Sequence, residues 1–291
     1  MNRSLKRNLL AIGTIIFWST AFPVTRMIGD ALTAANLAFI RILSAAIFLM
    51  IIWLARKDRK APEKDDILLF ILSGATGFGI YLIVFSQGLK TITSAESSVI
   101  IAFTPVLVAI LSRVIYKEKL PVIGWISIFG AFAGVAILML WDNGLNIKAG
   151  MLWTLSASCL FAVYNLLNRK LSSKGYSSID IVSFSMLISV IMLIWTVPSA
   201  AAQIQAASIT PVLLAIYLGV FSSAISYALW GAALALADKS SEVTNYMFVT
   251  PMLATLEGII WLKELPTIGT YLGGGLIIVM IVLFNLTKDR A

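Results

Sequence analysis

The chain has 291 residues, 59% hydrophobic and 12% charged, with a formal net charge of +8 and no histidine. An ordinary soluble domain carries roughly 25% charged residues, so a water-soluble core could not absorb this much apolar surface. Imidazole relays, histidine metal ligands and triads with a histidine base are excluded, and the positive charge sits mostly in polar breaks, where membrane topology rather than nucleic acid accounts for it.

Ten apolar runs follow one another, each near the ~20 residues needed to cross a hydrocarbon core of about 30 Å. They cover residues 5–24, 32–54, 67–89, 94–115 and 121–141, then 149–171, 179–197, 211–237, 241–262 and 266–286. Continuous apolarity without period-two alternation reads as helix rather than barrel strand. The first run, preceded by Arg3, Lys6 and Arg7, has the pattern of a cleavable signal peptide, but it has a repeat partner and is expected to stay. Cys159, the only cysteine, lies inside the sixth run, so no intrachain disulfide is available. The polar loop at 56–66 reads as a solvated connector. With the N-terminus inside, seventeen Lys/Arg fall in inner segments and four (Arg26, Lys90, Lys148, Lys263) in outer ones. That bias predicts a multi-pass protein of the inner (plasma) membrane with both termini cytoplasmic.

Residues 96–124 return as 242–269. Glu96, Thr104, Pro105, Lys117 and Glu118 match Glu242, Thr250, Pro251, Lys263 and Glu264 at an offset of 146, and Leu120, Pro121 and Gly124 match Leu265, Pro266 and Gly269 at 145. Weaker matches pair Arg26 with Arg169 and Trp18 with Phe161. Five runs per copy is an odd number, so the second copy enters the membrane in the opposite sense. The expected fold is an all-α membrane protein, ten transmembrane helices in two inverted five-helix repeats, residues 1–145 and 146–291. Such repeats typify transporters that expose a midplane site to each side in turn.

The doubled Pro then KE-LP-G block (Pro105, Glu118, Pro121, Gly124; Pro251, Glu264, Pro266, Gly269), with Arg41 in the second run and Gly273, Gly274 and Gly275 in the last, resembles the EamA-like branch of the drug/metabolite transporter superfamily across the whole chain. The resemblance implies a basket of two inverted bundles, with the first, third and fourth helices of each half around a cavity, and export of small metabolites or amino acids. Relatives carrying phosphorylated cargo hold it with basic cavity residues. Only Arg41 is basic in mid-membrane here, which points away from such cargo.

Pro105 and Pro251, each nine residues after an acid (Glu96, Glu242), bend their helices and serve as moving hinges or fixed kinks. Glu118 and Glu264 suit gate latches or interfacial ion pairs. Arg41 requires a partner at its depth, because an unpaired charge there costs at least ~2.5 kcal/mol. Glu257 has an apolar counterpart, Leu111, and is the candidate for proton coupling in a chain without histidine. Glu242, Tyr246, Leu253 and Glu257 recur at near-helical spacing.

Trp18, Tyr81, Ser97, Tyr164, Asn165, Asn168, Tyr227, Trp230, Asn245 and Tyr246 are candidate cavity-lining residues, with Gln87 and Ser98 also polar on those helices. Interhelical packing competes with lining for each of them. An aromatic wall with few charges suits neutral or zwitterionic cargo.

No nucleotide-binding, zinc or dinucleotide motif is present, so no cofactor and no ATP-driven step are expected. The chain reads as a secondary transporter, not an enzyme, whose partners are a small-molecule substrate, the lipid bilayer and, through Glu257, protons, and as a monomer rather than a dimer. The alternatives are a multidrug or sugar permease of the same fold, and, from another class, a lipid-handling membrane protein or membrane enzyme.

Overall fold

The computed structural model of the chain describes residues 3–117, 122–141, 147–236, 243 and 245–288, and the side chains of these residues except 234, 235, 245, 248 and 284–288. Every regular element among them is helical, as expected where no water is available to bond backbone groups. Helices α1 (Arg3–Ile28) and α2 (Ala34–Ala55) come first. Helix α3 begins as Ile67–Gly74, passes through a π turn at Ala75–Gly79 and continues as Ile80–Gly88. Helix α4 (Ser94–Tyr116) breaks at Phe103, just ahead of Pro105. Helices α5 (Val122–Leu140) and α6 (Ala149–Ser173) follow.

Helices α7 (Ser178–Met192) and α8 (Val197–Ala206) make one run bent by 48°. The sequence pattern ends this run at 197, whereas helix continues to Ala206, because Pro198 sits in the first turn of α8, where its missing N–H costs nothing. Helix α9 starts as Ile209–Tyr217, has a π segment at Leu218–Ile225 and resumes as Ser226–Leu236. A 3-10 turn (Asn245–Val249) leads into α10 (Thr250–Leu262), and α11 (Ile268–Lys288) closes the chain. Among the described residues, seven segments are long and apolar enough to cross a membrane, eight when α7 and α8 count as one; α10 and the Ile268–Leu283 part of α11 are shorter apolar stretches.

Local chemistry sets the helix ends. Thr93 with Glu96, and Ser177 with Asp180, form capping boxes that start α4 and α7. Helices α4 and α10 both end on a lysine in the left-handed region, Lys117 at φ 55° and Lys263 at φ 57°. At Lys263 the bond from Lys263 N to Ile259 O, 3.2 Å, is the αL closure, and Glu264 N donates to the Gly258 carbonyl, also at 3.2 Å.

Helix α1 packs on α9 and α10, α6 on α3 and α4, α2 on α7, α4 on α10, and α5 on α11. The α5–α11 contact is close enough that a Cβ on Gly273 would lie 2.5 Å from the Gly134 carbonyl oxygen, so small residues permit it. One end of the bundle gathers the C-termini of α1 and α10 and the N-terminus of α4 around Arg26 and Glu264, with Lys148, ahead of α6, bonded to Glu96. The opposite end joins α6 and α7 to α3 through Lys174 and Tyr176, both bonded to Asp66. Trp125, Trp141, Trp153 and Trp261 are exposed on the flanks, where lipid would meet them.

Candidate functional site

A cavity of about 850 Å³, counting the part open to its surroundings, lies between α1, α2, α3, α4, α6 and α9 and the start of α10. Its size is that of a small-molecule site. Aromatic rings from α1, α3, α6 and α9 form much of its wall, and the rings support one another. Trp18 meets Tyr227 edge-on at 5.4 Å, Phe78 meets Tyr227 at 5.4 Å, and Tyr81 stacks on Phe161 at 5.2 Å. Pro105 and Pro251 both face it, from the two copies of the repeated block.

The two π segments build much of this wall. A π turn inserts one extra residue and re-aims the side chains around it. Gly77 and Phe78 from the α3 turn, and Ser222 and Ser223 from the α9 segment, line the cavity. Ser222 Oγ donates to the Phe17 carbonyl at 2.7 Å and Tyr217 donates to Thr20 Oγ1 at 3.1 Å, fastening the α9 segment to α1. Helix α2 meets the same segment closely: a Cβ on Gly219 would lie 2.4 Å from the Arg41 carbonyl oxygen. That approach delivers Ser223 Oγ to Arg41, whose Nε donates to it at 2.9 Å.

Arg41 is the only charged side chain among the described residues lining the cavity. It is 7% exposed, and its Nη1 is enclosed with no hydrogen-bond partner among the described residues.

Of the other candidate lining residues, Trp18, Tyr81 and Tyr227 line the cavity. Tyr164 lies behind the wall, stacked on Phe161 and edge-on to Phe78, and accepts a hydrogen bond from Asn168 at 3.0 Å. Asn165 bonds its own helix at the Phe161 carbonyl. Ser97 is buried in α4 and its neighbour Ser98 lines the cavity instead. Trp230 and Tyr246 pack together with Ala11, Ala233 and Val243. The side chain of Asn245 lies outside the described residues, as do Glu118 and Glu242.

Glu96 closes the α4 capping box and pairs with Lys148 at 3.0 Å. Glu264 forms an ion pair with Arg26 and accepts from Ser94 N, at the α4 N-terminus, at 2.8 Å. Arg26 also donates to the Leu89 and Ile92 carbonyls, so this cluster ties α1, the α3–α4 turn and the α10 end together. Glu257 accepts from Ser19 Oγ at 2.8 Å through Oε1, while Oε2 is buried without a partner among the described residues.

Phe22, Phe78, Phe85, Phe161, Ser222 and Ser223 line the cavity without having stood out in the sequence. Phenylalanines in an apolar helix carry no facing signal. Ser222 and Ser223 had one, a polar pair inside an apolar run.

A helical bundle with membrane-length apolar helices around an aromatic cavity is the frame of a membrane transporter rather than an enzyme. The sequence model of the EamA-like transporter family matches twice, at residues 5–140 and 148–286, and the chain belongs to that family. An uncharacterized transporter, YdfC, of Bacillus subtilis is 29% identical over 261 residues, 88% of this chain and 83% of the relative. A probable terminal-alkyne amino-acid exporter of Streptantibioticus cattleyicolor is 26% identical over 275 residues, 94% of this chain and 91% of the relative. A crystal structure 17% identical, covering 98% of both chains with a TM-score of 0.66, shares the fold.

Proposed function

We propose that this transporter exports small neutral or zwitterionic metabolites, amino acids first among them, across the inner membrane by alternating access. The two halves, residues 1–145 and 146–291, act as inverted five-span units with both termini cytoplasmic. The observation that carries the reading is the aromatic cavity bounded by both halves, with a repeat proline from each on its wall. Reciprocal packing supports the inversion: α1 packs on α9 and α10 as α6 does on α3 and α4, while α2 meets α7, α4 meets α10 and α5 meets α11. Helix α1 runs toward the Arg26–Glu264 end and α6 starts there, which supports opposite insertion. The name of the Streptantibioticus relative supports amino-acid cargo.

In this scheme Pro105 and Pro251 are hinges that let α4 and α10 swing. The Arg26–Glu264 pair latches the outer side, and its parting accompanies outward opening. Glu257 takes up a proton, because a half-buried carboxyl held by a single hydroxyl is costly to keep charged. Trp18, Tyr81 and Tyr227 form the cargo cage. The cargo has one central site and the transporter acts as a monomer.

Uptake and counterflow into proteoliposomes, against a panel of amino acids, cationic drugs and sugars with and without a pH gradient, test this. Amino-acid counterflow driven further by the gradient is expected, and Glu257→Gln is expected to abolish the gradient's effect while leaving exchange intact. Cysteines placed at Lys60 and Ile147 in a Cys159→Ser protein should label from opposite sides of the membrane. Labelling from one side removes the inverted arrangement.

A further inference from the structure

We propose that Arg41 is a carboxylate subsite, so that cargo is selected by a carboxylate on an apolar body and an amino group is dispensable. The proposal rests on the transporter reading above and redraws its cargo as carboxylates, monoanions as well as zwitterions.

The buried cation has no counter-charge among the described residues. Its Nε is satisfied by Ser223, and Nη1 is enclosed with nothing to donate to among the described residues. The acids described near the mid-membrane and at the latch end are occupied elsewhere: Glu257 with Ser19, Glu264 with Arg26, Glu96 with Lys148. No acid is among the described residues lining the cavity. Arg26 shows how this chain settles a structural arginine, with a carboxylate and two backbone carbonyls. Arg41 is more deeply buried and has neither among the described residues, so an anion arriving from outside the protein answers its charge.

The geometry selects the anion. A guanidinium fork matches a planar carboxylate and can meet it with two parallel bonds. A phosphate dianion needs more positive charge than one arginine supplies. Beyond Arg41 the wall carries rings, hydrocarbon and a few hydroxyls, with Trp18, Phe22, Phe78, Tyr81 and Tyr227 beside Ser98, Ser222 and Thr250. Its described residues hold no carboxylate to seat an ammonium, which meets neutral hydroxyls and ring faces, a weaker attraction. A carboxylate is therefore required, and the group on its α-carbon is not.

The full-length protein in proteoliposomes is assayed by counterflow with four probes that share one branched hydrocarbon tail: L-leucine, its 2-oxo acid, L-leucinamide and 3-methylbutylamine. The two carboxylates are expected to exchange at comparable concentrations, and the amide and amine at least tenfold less well, about 1.4 kcal/mol. Arg41→Lys should raise KM at least tenfold for both carboxylates while leaving the maximal rate near wild type. Because that variant alters a buried site and can fail to fold, Ser223→Ala is measured beside it. That change leaves the guanidinium in place but loosens its aim, and should raise KM for the carboxylates and leave the amide unchanged. Equal exchange of all four probes, or KM values unmoved in both variants, overturns the carboxylate subsite and leaves the transporter reading standing. No exchange of any probe overturns the amino-acid cargo reading and the subsite with it.

Discussion

Helices α4 and α10 carry the two copies of the repeated block and share a backbone while holding different partners. Thr104-Pro105 restarts α4 after its break and Thr250-Pro251 opens α10, and both helices stop on a lysine at φ near 55°. At the α10 end Glu264 meets Arg26 in a largely buried ion pair, with side chains 10% and 26% exposed. At the α4 end Arg169, the sequence counterpart of Arg26, lies over the Tyr116 ring at 4.7 Å, where α10 has Leu262. Halfway along, Glu257 stands opposite Leu111. The duplicated chain has kept the main-chain devices that bend and terminate a helix and several of its charged side chains, while Glu257 is an acid that the second copy alone carries, and it is there that coupling is proposed.

Substitutions at equivalent positions break or sharpen this comparison. The largest effect is expected where the halves meet most symmetrically: Gly134→Leu and Gly273→Leu should each cost about 3 kcal/mol or more by forcing α5 from α11. Gly275→Ala, which opens into free space, should be silent in thermal unfolding followed by size-exclusion chromatography. Next, Glu264→Gln should lower stability by about 2 kcal/mol, because it leaves Arg26 short of its counter-charge. Arg26→Gln made together with it should cost less than the sum of the two. Arg169→Gln is the matched change at the opposite end, measured in the same assay. Equal costs at the two ends would remove the asymmetry.

Smaller and of opposite sign, Lys117→Gly and Lys263→Gly should each raise stability by about 0.5 kcal/mol, since glycine enters the left-handed region without the Cβ clash a lysine bears. Matching gains in both helices would show the terminator to be held in common. The smallest effect concerns the loop at the other end. The Asp66 carboxylate, chiefly through its hydrogen bond, holds the Lys174 ammonium above the usual lysine range. A raised folded-state value contributes stability that is fully present below the unfolded value of about 10.4 and is lost as pH rises through the folded one. A small alkaline step in the melting temperature should therefore vanish in Lys174→Met.

Much of the fold was legible because run length and charge placement are whole-helix properties. The boundaries of α5, α6 and α9 fall within about three residues of the apolar runs that announced them. The site was less so. A helix apolar on every face offers no periodicity to tell cavity from neighbour. Tyr164 and Asn165 accordingly read as lining yet sit behind or along the wall, and Phe78 and Phe161 passed unnoticed. The π turns shift facing by a residue's rotation, which no pattern of period 3.6 anticipates, so Ser223 and its bond to Arg41 emerge only in three dimensions. Arg41 itself was legible, because a lone charge in an apolar run is conspicuous by cost.

The Trp18 indole, held edge-on to Tyr227 and 5.1 Å from Trp230, gives the molecule an optical probe of its own. Any occupant of the chamber must touch this chromophore, and the flank indoles, embedded in hydrocarbon, would stay spectrally constant. Emission quenching on mixing, traced within milliseconds, would then time the arrival and departure of a guest with no label attached.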